Sequence, residues 1–190
     1  IQTTGQQASM QALTWYEAIL SRGRHAALIG GSDRHMILPV GFPTTWLRVD
    51  SHDAAGVVQA IRSGRSFVSR TPVNAQVKME IEIGGVAYEM GDQVSLAGNT
   101  SATIRIRIGR ASGGLLRLRG GSRVASDEAL ATATLGTVAL ERSIEEEDFL
   151  VEWQQQVAPG DWLYPIILEP LVSPDIPEEE AAAIRELARA

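Results

Sequence analysis

The sequence predicts an α+β chain: the βα units of an incomplete barrel, then an antiparallel β-sandwich, then a short C-terminal helix. Three observations carry this. Helix-like and strand-like stretches alternate over residues 1–72. From Val73 the hydrophobic period changes from about 3.6 residues to about 2, and it stays short through residue 172. Residues 173–190 contain Pro177 followed by Glu178, Glu179 and Glu180, with Arg185 and Arg189 further on, as the dipole of a short helix favours.

The elements follow in order. Ser9 is placed to cap a helix over 9–22, with Met10, Leu13, Tyr16 and Leu20 at helical spacing and Gly23 as the stop. A strand over 26–29, with both faces buried, leads through Gly30 and Gly31 into Ser32-Asp33-Arg34-His35. After Gly41-Phe42-Pro43, a strand over 44–49 precedes a helix capped by Ser51 and ended by Gly64, with Ala54, Val57, Val58 and Ile61 on its apolar face. A third strand over 66–69 closes the unit before Pro72. Strand, helix and strand in succession suggest a parallel sheet, with too few repeats to close a barrel of about eight strands.

Beyond residue 73, Val77, Met79, Ile81 and Ile83 alternate with Lys78, Glu80 and Glu82, and Gly84-Gly85 is a two-residue hairpin signal. Ile104, Ile106 and Ile108 alternate with Arg105 and Arg107, and Leu116 and Leu118 with Arg117 and Arg119. Phe149, Val151 and Trp153 mark a later strand, and residues 162–168 a last one. The glycine pairs at 84–85, 113–114 and 120–121 are expected to be hairpin turns, Trp153 and Trp162 to pack in the core, and the run Glu145-Glu146-Glu147-Asp148 to be a solvated turn rather than a calcium site.

Composition narrows the function. The chain has 190 residues, 44 % of them hydrophobic, a net charge of −6 and no cysteine. That excludes disulfides and thiolate chemistry, and it argues against a nucleic-acid binder, which needs clustered Lys and Arg. No apolar run reaches the roughly 18–20 residues of a membrane helix. The first residue is Ile1, and the opening is polar and turn-prone, so the chain is expected to be a piece of a longer polypeptide. Phosphate-binding and dinucleotide glycine fingerprints are lacking, and Ser32 beside Asp33 and His35 does not make a serine triad, whose base is oriented from elsewhere.

Asp33 and His35 are the candidate metal ligands. A carboxylate and an imidazole two positions apart, just past an apolar run, suit zinc, manganese or iron. Arg34 is a candidate for phosphate contact, since guanidinium groups clamp oxyanions, whereas Arg65 and Arg70 are expected to be solvated. His25 and His52, the other two of three histidines, are expected to have structural or surface roles.

The order Trp15, Leu20, Gly23-Arg24, Gly30-Gly31-Ser32-Asp33-Arg34-His35, Gly41-Phe42-Pro43-Thr44-Thr45 and Ala60-Ile61-Arg62-Ser63-Gly64-Arg65-Ser66-Phe67-Val68-Ser69 resembles the end of a PHP (polymerase and histidinol phosphatase) domain of the CehA/McbA-like branch. The resemblance covers roughly residues 10–72 and continues more weakly to Met90-Gly91-Asp92. It implies that residues 1–72 are the C-terminal part of a distorted βα barrel and that Asp33 and His35 are the last metal-binding motif of a divalent-metal phosphoesterase. The implied substrate is a phosphorylated small molecule, and exported relatives lean the location toward extracytoplasmic. The family's His-x-His motif and its mid-chain Glu and His ligands have no counterpart here, so this fragment alone is expected to be inactive. Its implied partner is the missing N-terminal segment, or a second copy across the open sheet edge. The competing expectation is a non-catalytic β-sandwich binding or scaffold module with a vestigial Asp-His pair.

Overall fold

The computed structural model describes residues 4–31, 43–73, 75–126 and 135–168, with side chains in the first helix from Gln11 onward. Among them are two helices and nine strands in three antiparallel sheets. Helix α1 spans Thr4–Ser21, so Ser9 lies within it and does not cap it. Gly23, at φ 71°, ends the helix in the left-handed region that glycine adopts without steric cost.

Strands β1 (Thr44–Leu47) and β2 (Ser66–Ser69) flank helix α2 (Ala54–Arg62). They pair antiparallel, not parallel as the alternation suggested: Leu47 faces Ser66 and Thr44 faces Ser69. Residues 48–65 therefore leave and rejoin the pair at the same end, and α2 serves as an elaborated hairpin connection instead of a crossover. Its N-cap is Asp53, not Ser51. Asp53 Oδ1 accepts from Gly56 N at 2.7 Å, and Ser51 Oγ donates to the same oxygen at 2.9 Å. A carboxylate satisfies the orphan N–H more strongly than a hydroxyl, so Ser51 supports the cap.

No strand forms over residues 26–29, and Ile29 is 58 % exposed. The apolar run has no ladder neighbour among the described residues. It is held instead by side chains: Ser66 Oγ donates to Leu28 O at 2.9 Å, and Tyr16 Oη to Ala26 O at 3.4 Å.

The change of period at residue 73 marks a change of architecture. One sheet has the order β4-β3-β5-β8, built from β3 (Gln76–Ile83), β4 (Val86–Glu89), β5 (Thr100–Gly109) and β8 (Asp148–Val157). The other has the order β7-β6-β9, built from β6 (Leu115–Ser122), β7 (Thr137–Ser143) and β9 (Asp161–Leu168). Their inner faces share one core in a sandwich-like arrangement. Met79, Ile104, Ile106 and Ile108 come from the first sheet, Leu116 and Leu118 from the second, with Trp153 packed against them. The i, i+2 alternation thus specifies which face of each strand is buried.

On the outer face of the first sheet, Arg105 pairs with Glu80, Glu82 and Glu152, two of which are its direct cross-strand neighbours. The run 145–148 is exposed, and Asp148 pairs with Arg107 Nε at 3.3 Å.

The glycine pairs divide three ways. Gly84 and Gly85, at φ 59° and 81°, make the hairpin turn between β3 and β4. Gly113 and Gly114 lie at a corner between the two sheets, where Gly113 N donates to Ile144 O at 2.8 Å. Gly120 and Gly121 are not a turn but lie inside β6. A Cβ at Gly120 would come 2.6 Å from Leu163 Cδ2, so close approach of β9, not chain reversal, calls for glycine there. The expected helix over 173–190 lies outside the described residues.

Candidate functional site

The segment bearing the Ser32-Asp33-Arg34-His35 motif leaves the described structure at Gly31 and returns at Pro43. Just before it, Gly30 is held by one β1 side chain. Thr45 Oγ1 accepts from Gly30 N at 2.9 Å and donates to Gly30 O at 3.0 Å, so a single hydroxyl satisfies both backbone groups of Gly30. A Cβ on Gly30 would lie 2.6 Å from Val68 Cγ1 and 2.9 Å from Pro43 Cγ, so this crossing point requires glycine. Asp33, Arg34 and His35 themselves lie outside the described residues.

The remaining histidines sit apart from one another in role. His25 is exposed and lies over Gly64, where an added Cβ would come 2.7 Å from His25 Cε1. His52 is exposed in the bend before α2. Arg65, expected to be solvated, is tied down by carboxylates: Nη1 lies 3.0 Å from Asp50 Oδ2 and Nη2 4.0 Å from Asp92 Oδ1. Arg70 is exposed.

Met90-Gly91-Asp92 joins the β1–α2–β2 unit to the sandwich. Gly91 has φ 92°, and a Cβ there would lie 2.8 Å from Gly64 C and 2.9 Å from Arg65 N, closer still to Ser63 O. The chain leaving β4 therefore presses on the backbone that ends α2. Asp92 holds the turn by accepting from Glu89 N at 2.9 Å and then reaches Arg65.

A second polar cluster went unforeseen in the sequence. Glu17, on the buried face of α1, receives Arg119 in a two-pronged pair, Nε to Oε1 at 2.5 Å and Nη2 to Oε2 at 3.0 Å. Tyr164 Oη donates to Glu17 Oε1 at 2.6 Å, and Arg119 Nη2 also reaches Gly136 O at 2.8 Å. Burial pushes the Glu17 carboxyl up, but Arg119, Tyr164 and the Gly136 N–H outweigh it, and its pKa falls below the ordinary carboxylate value. Burial and then Glu17 push the Tyr164 phenol up. Around this cluster, Tyr16 meets Tyr164 edge-on at 5.4 Å, and Trp162 stacks on Tyr164 at 5.9 Å while its Nε1 donates to Ser21 Oγ at 3.2 Å. A carboxylate so fully engaged is an anchor between α1 and the β7-β6-β9 sheet, not a proton acceptor. The available signal was Glu17 standing next to Tyr16 and one turn from Leu13 and Leu20, inside the apolar stripe of an amphipathic helix.

Among the described residues, no group of three or more His, Asp or Glu side chains is arranged to hold a metal ion. No protein-family model, curated protein or solved structure matches this chain.

Proposed function

We propose that this chain is the C-terminal portion of a PHP-type metal-dependent hydrolase that acts on a phosphate ester or a related bond. The observation that carries the reading is the Ser32-Asp33-Arg34-His35 motif, which follows directly on Gly30-Gly31, where Thr45 holds Gly30 through both its N–H and its carbonyl.

Asp33 and His35 are one carboxylate and one imidazole, a donor set that fits part of a zinc, manganese or iron site. The third protein ligand that such a metal usually takes comes from upstream of this chain. When bound, the metal supplies a water with its pKa lowered to near neutrality, the nucleophile of the reaction. Arg34, between the two ligands, is placed in sequence to contact the phosphate oxygens.

The test is metal analysis of the full-length protein, alongside turnover of p-nitrophenyl phosphate. Asp33→Ala and His35→Ala are each expected to lose the bound metal and at least about a hundredfold of the turnover, consistent with the scale of metal-assisted catalysis. The 190-residue chain alone is expected to show no metal-dependent turnover. Unchanged metal content in both variants would remove the hydrolase reading and leave the non-catalytic binding or scaffold module.

The same reading accounts for the apolar surface of the β1–α2–β2 unit. Ile29, just upstream, and Val57, Val58 and Val68 within the unit are exposed, and among the described residues β1 and β2 form a two-stranded sheet. Two-stranded sheets are marginal by themselves and invite further pairing. The missing N-terminal segment covers this face in the complete protein, and a second copy covers it in the isolated chain. Light scattering of the 190-residue chain is therefore expected to give the mass of a dimer, and a monomer across the micromolar range would count against it.

A further inference from the structure

A cleft of about 470 Å³ opens between the β1–β2 pair and the start of β3. Its cause lies in the strand register. β4 pairs with β3 only from Glu80↔Glu89 to Ile83↔Val86, and at Gly91 the chain turns onto the end of α2. Residues 76–79 consequently pair with β5 alone, and the space beside them is left to side chains. One wall is the pair Trp46 and Phe67, cross-strand neighbours whose rings stack at 5.8 Å and 10°. Trp46 is held in place by Nε1 donating to Ser69 Oγ at 2.8 Å. Met79 and Met90 also line it.

Charge sets the rest of the cleft's character. Arg48 and Lys78 both stand at the cleft, and both pair with the same carboxylate, Glu89, with Lys78 Nζ 3.3 Å from Oε1. Two cations share the one carboxylate of Glu89 beside an aromatic wall, while Arg65, also in the lining, is held by Asp50 and Asp92. The Arg48 and Lys78 side chains are 59 % and 64 % exposed, so they can turn toward an incoming group with little desolvation cost. The volume lies within the usual range of small-molecule sites, which are mainly apolar with a few converging polar groups.

We propose that this cleft binds a small anion with a flat apolar body, the body against Trp46 and Phe67 and a single phosphate or carboxylate head between Arg48 and Lys78. The cleft does not use Asp33 or His35, so the proposal stands apart from the hydrolase reading.

Calorimetric titration of the 190-residue chain tests it with 1-naphthylmethylphosphonate, 1-naphthoate, neutral 1-naphthylmethanol and inorganic phosphate. At least one naphthyl anion is expected to bind, and the tighter of the two identifies the head group that the cations prefer. The neutral alcohol and phosphate alone are each expected to be at least about tenfold weaker, a difference of about 1.4 kcal/mol. Arg48→Gln and Lys78→Gln should each weaken the anion roughly fivefold, and Trp46→Leu should weaken the anion and the alcohol alike. Both charge substitutions are at exposed side chains, so they keep the test decisive where Trp46→Leu fails to fold. Equal binding of the alcohol, equal binding of phosphate alone, or anion binding unchanged in both charge variants would overturn the proposal, as would no binding of either anion.

Discussion

Replacing Glu17 with alanine is expected to cost about 3–5 kcal/mol of unfolding free energy, the usual penalty for removing one partner of a buried ion pair. That is a large share of the roughly 5–15 kcal/mol that holds a typical domain folded. Glu17 is 4 % exposed, and its loss leaves the Arg119 guanidinium and the Tyr164 hydroxyl without their common acceptor. Urea denaturation of the two proteins measures the difference. The triple variant Glu17→Leu with Arg119→Met and Tyr164→Phe should recover most of the loss, because it removes the stranded charge and the stranded hydroxyl together. A cost below about 1 kcal/mol for Glu17→Ala would mean that the cluster is effectively solvated, as surface pairs are.

The cluster also predicts how stability depends on pH, with opposite signs at the two ends. The folded-state pKa of Glu17 lies below its unfolded value of about 4.3, so the folded form holds its proton less tightly. Its contribution is present above about pH 4.3 and is lost as the pH falls through the depressed folded value. Tyr164 is shifted upward from an unfolded value of about 10, so the folded form holds the phenolic proton more tightly. Stability should therefore fall as the pH rises above about 10. Glu17→Gln removes the acid limb while keeping an acceptor for Tyr164.

The second large effect is expected at Gly91. Alanine there meets two costs, each about 1–3 kcal/mol: the left-handed backbone at φ 92°, and a Cβ forced against the backbone of Ser63, Gly64 and Arg65. Gly84→Ala separates the two. Gly84 also has positive φ, at 59°, but open space where its Cβ would stand, so it carries the strain alone. Thermal unfolding should show Gly91→Ala losing clearly more than Gly84→Ala. Equal losses would mean that the joint between the β1–α2–β2 unit and the sandwich gives way without cost.

Much of the sandwich was legible because its signals are local. Ile104, Ile106 and Ile108 each have no exposed surface, as their alternation with Arg105 and Arg107 requires. Gly84-Gly85 states its own turn. Strand β7 was illegible for the converse reason: six of its seven residues are exposed, so no alternation marks it. The Asp33-Arg34-His35 motif was legible as residue types only, and it lies outside the described residues. The anchor at Glu17 was harder, because Arg119 lies 102 residues away and neither residue signals the other.

By itself, the sequence determined the strand faces of the sandwich, the β3–β4 hairpin, and the stops at Gly23 and Gly64. All of these follow from residues within a few positions of each other, where chain geometry dictates what meets. Tertiary structure alone decided that β2 returns antiparallel to β1, that Gly120 and Gly121 sit under Trp162 and Leu163, that Glu17 is buried against Arg119, and that a cleft opens beside β3. Each depends on which distant segments come into contact, and packing of whole elements, not the period of any one, selects those contacts.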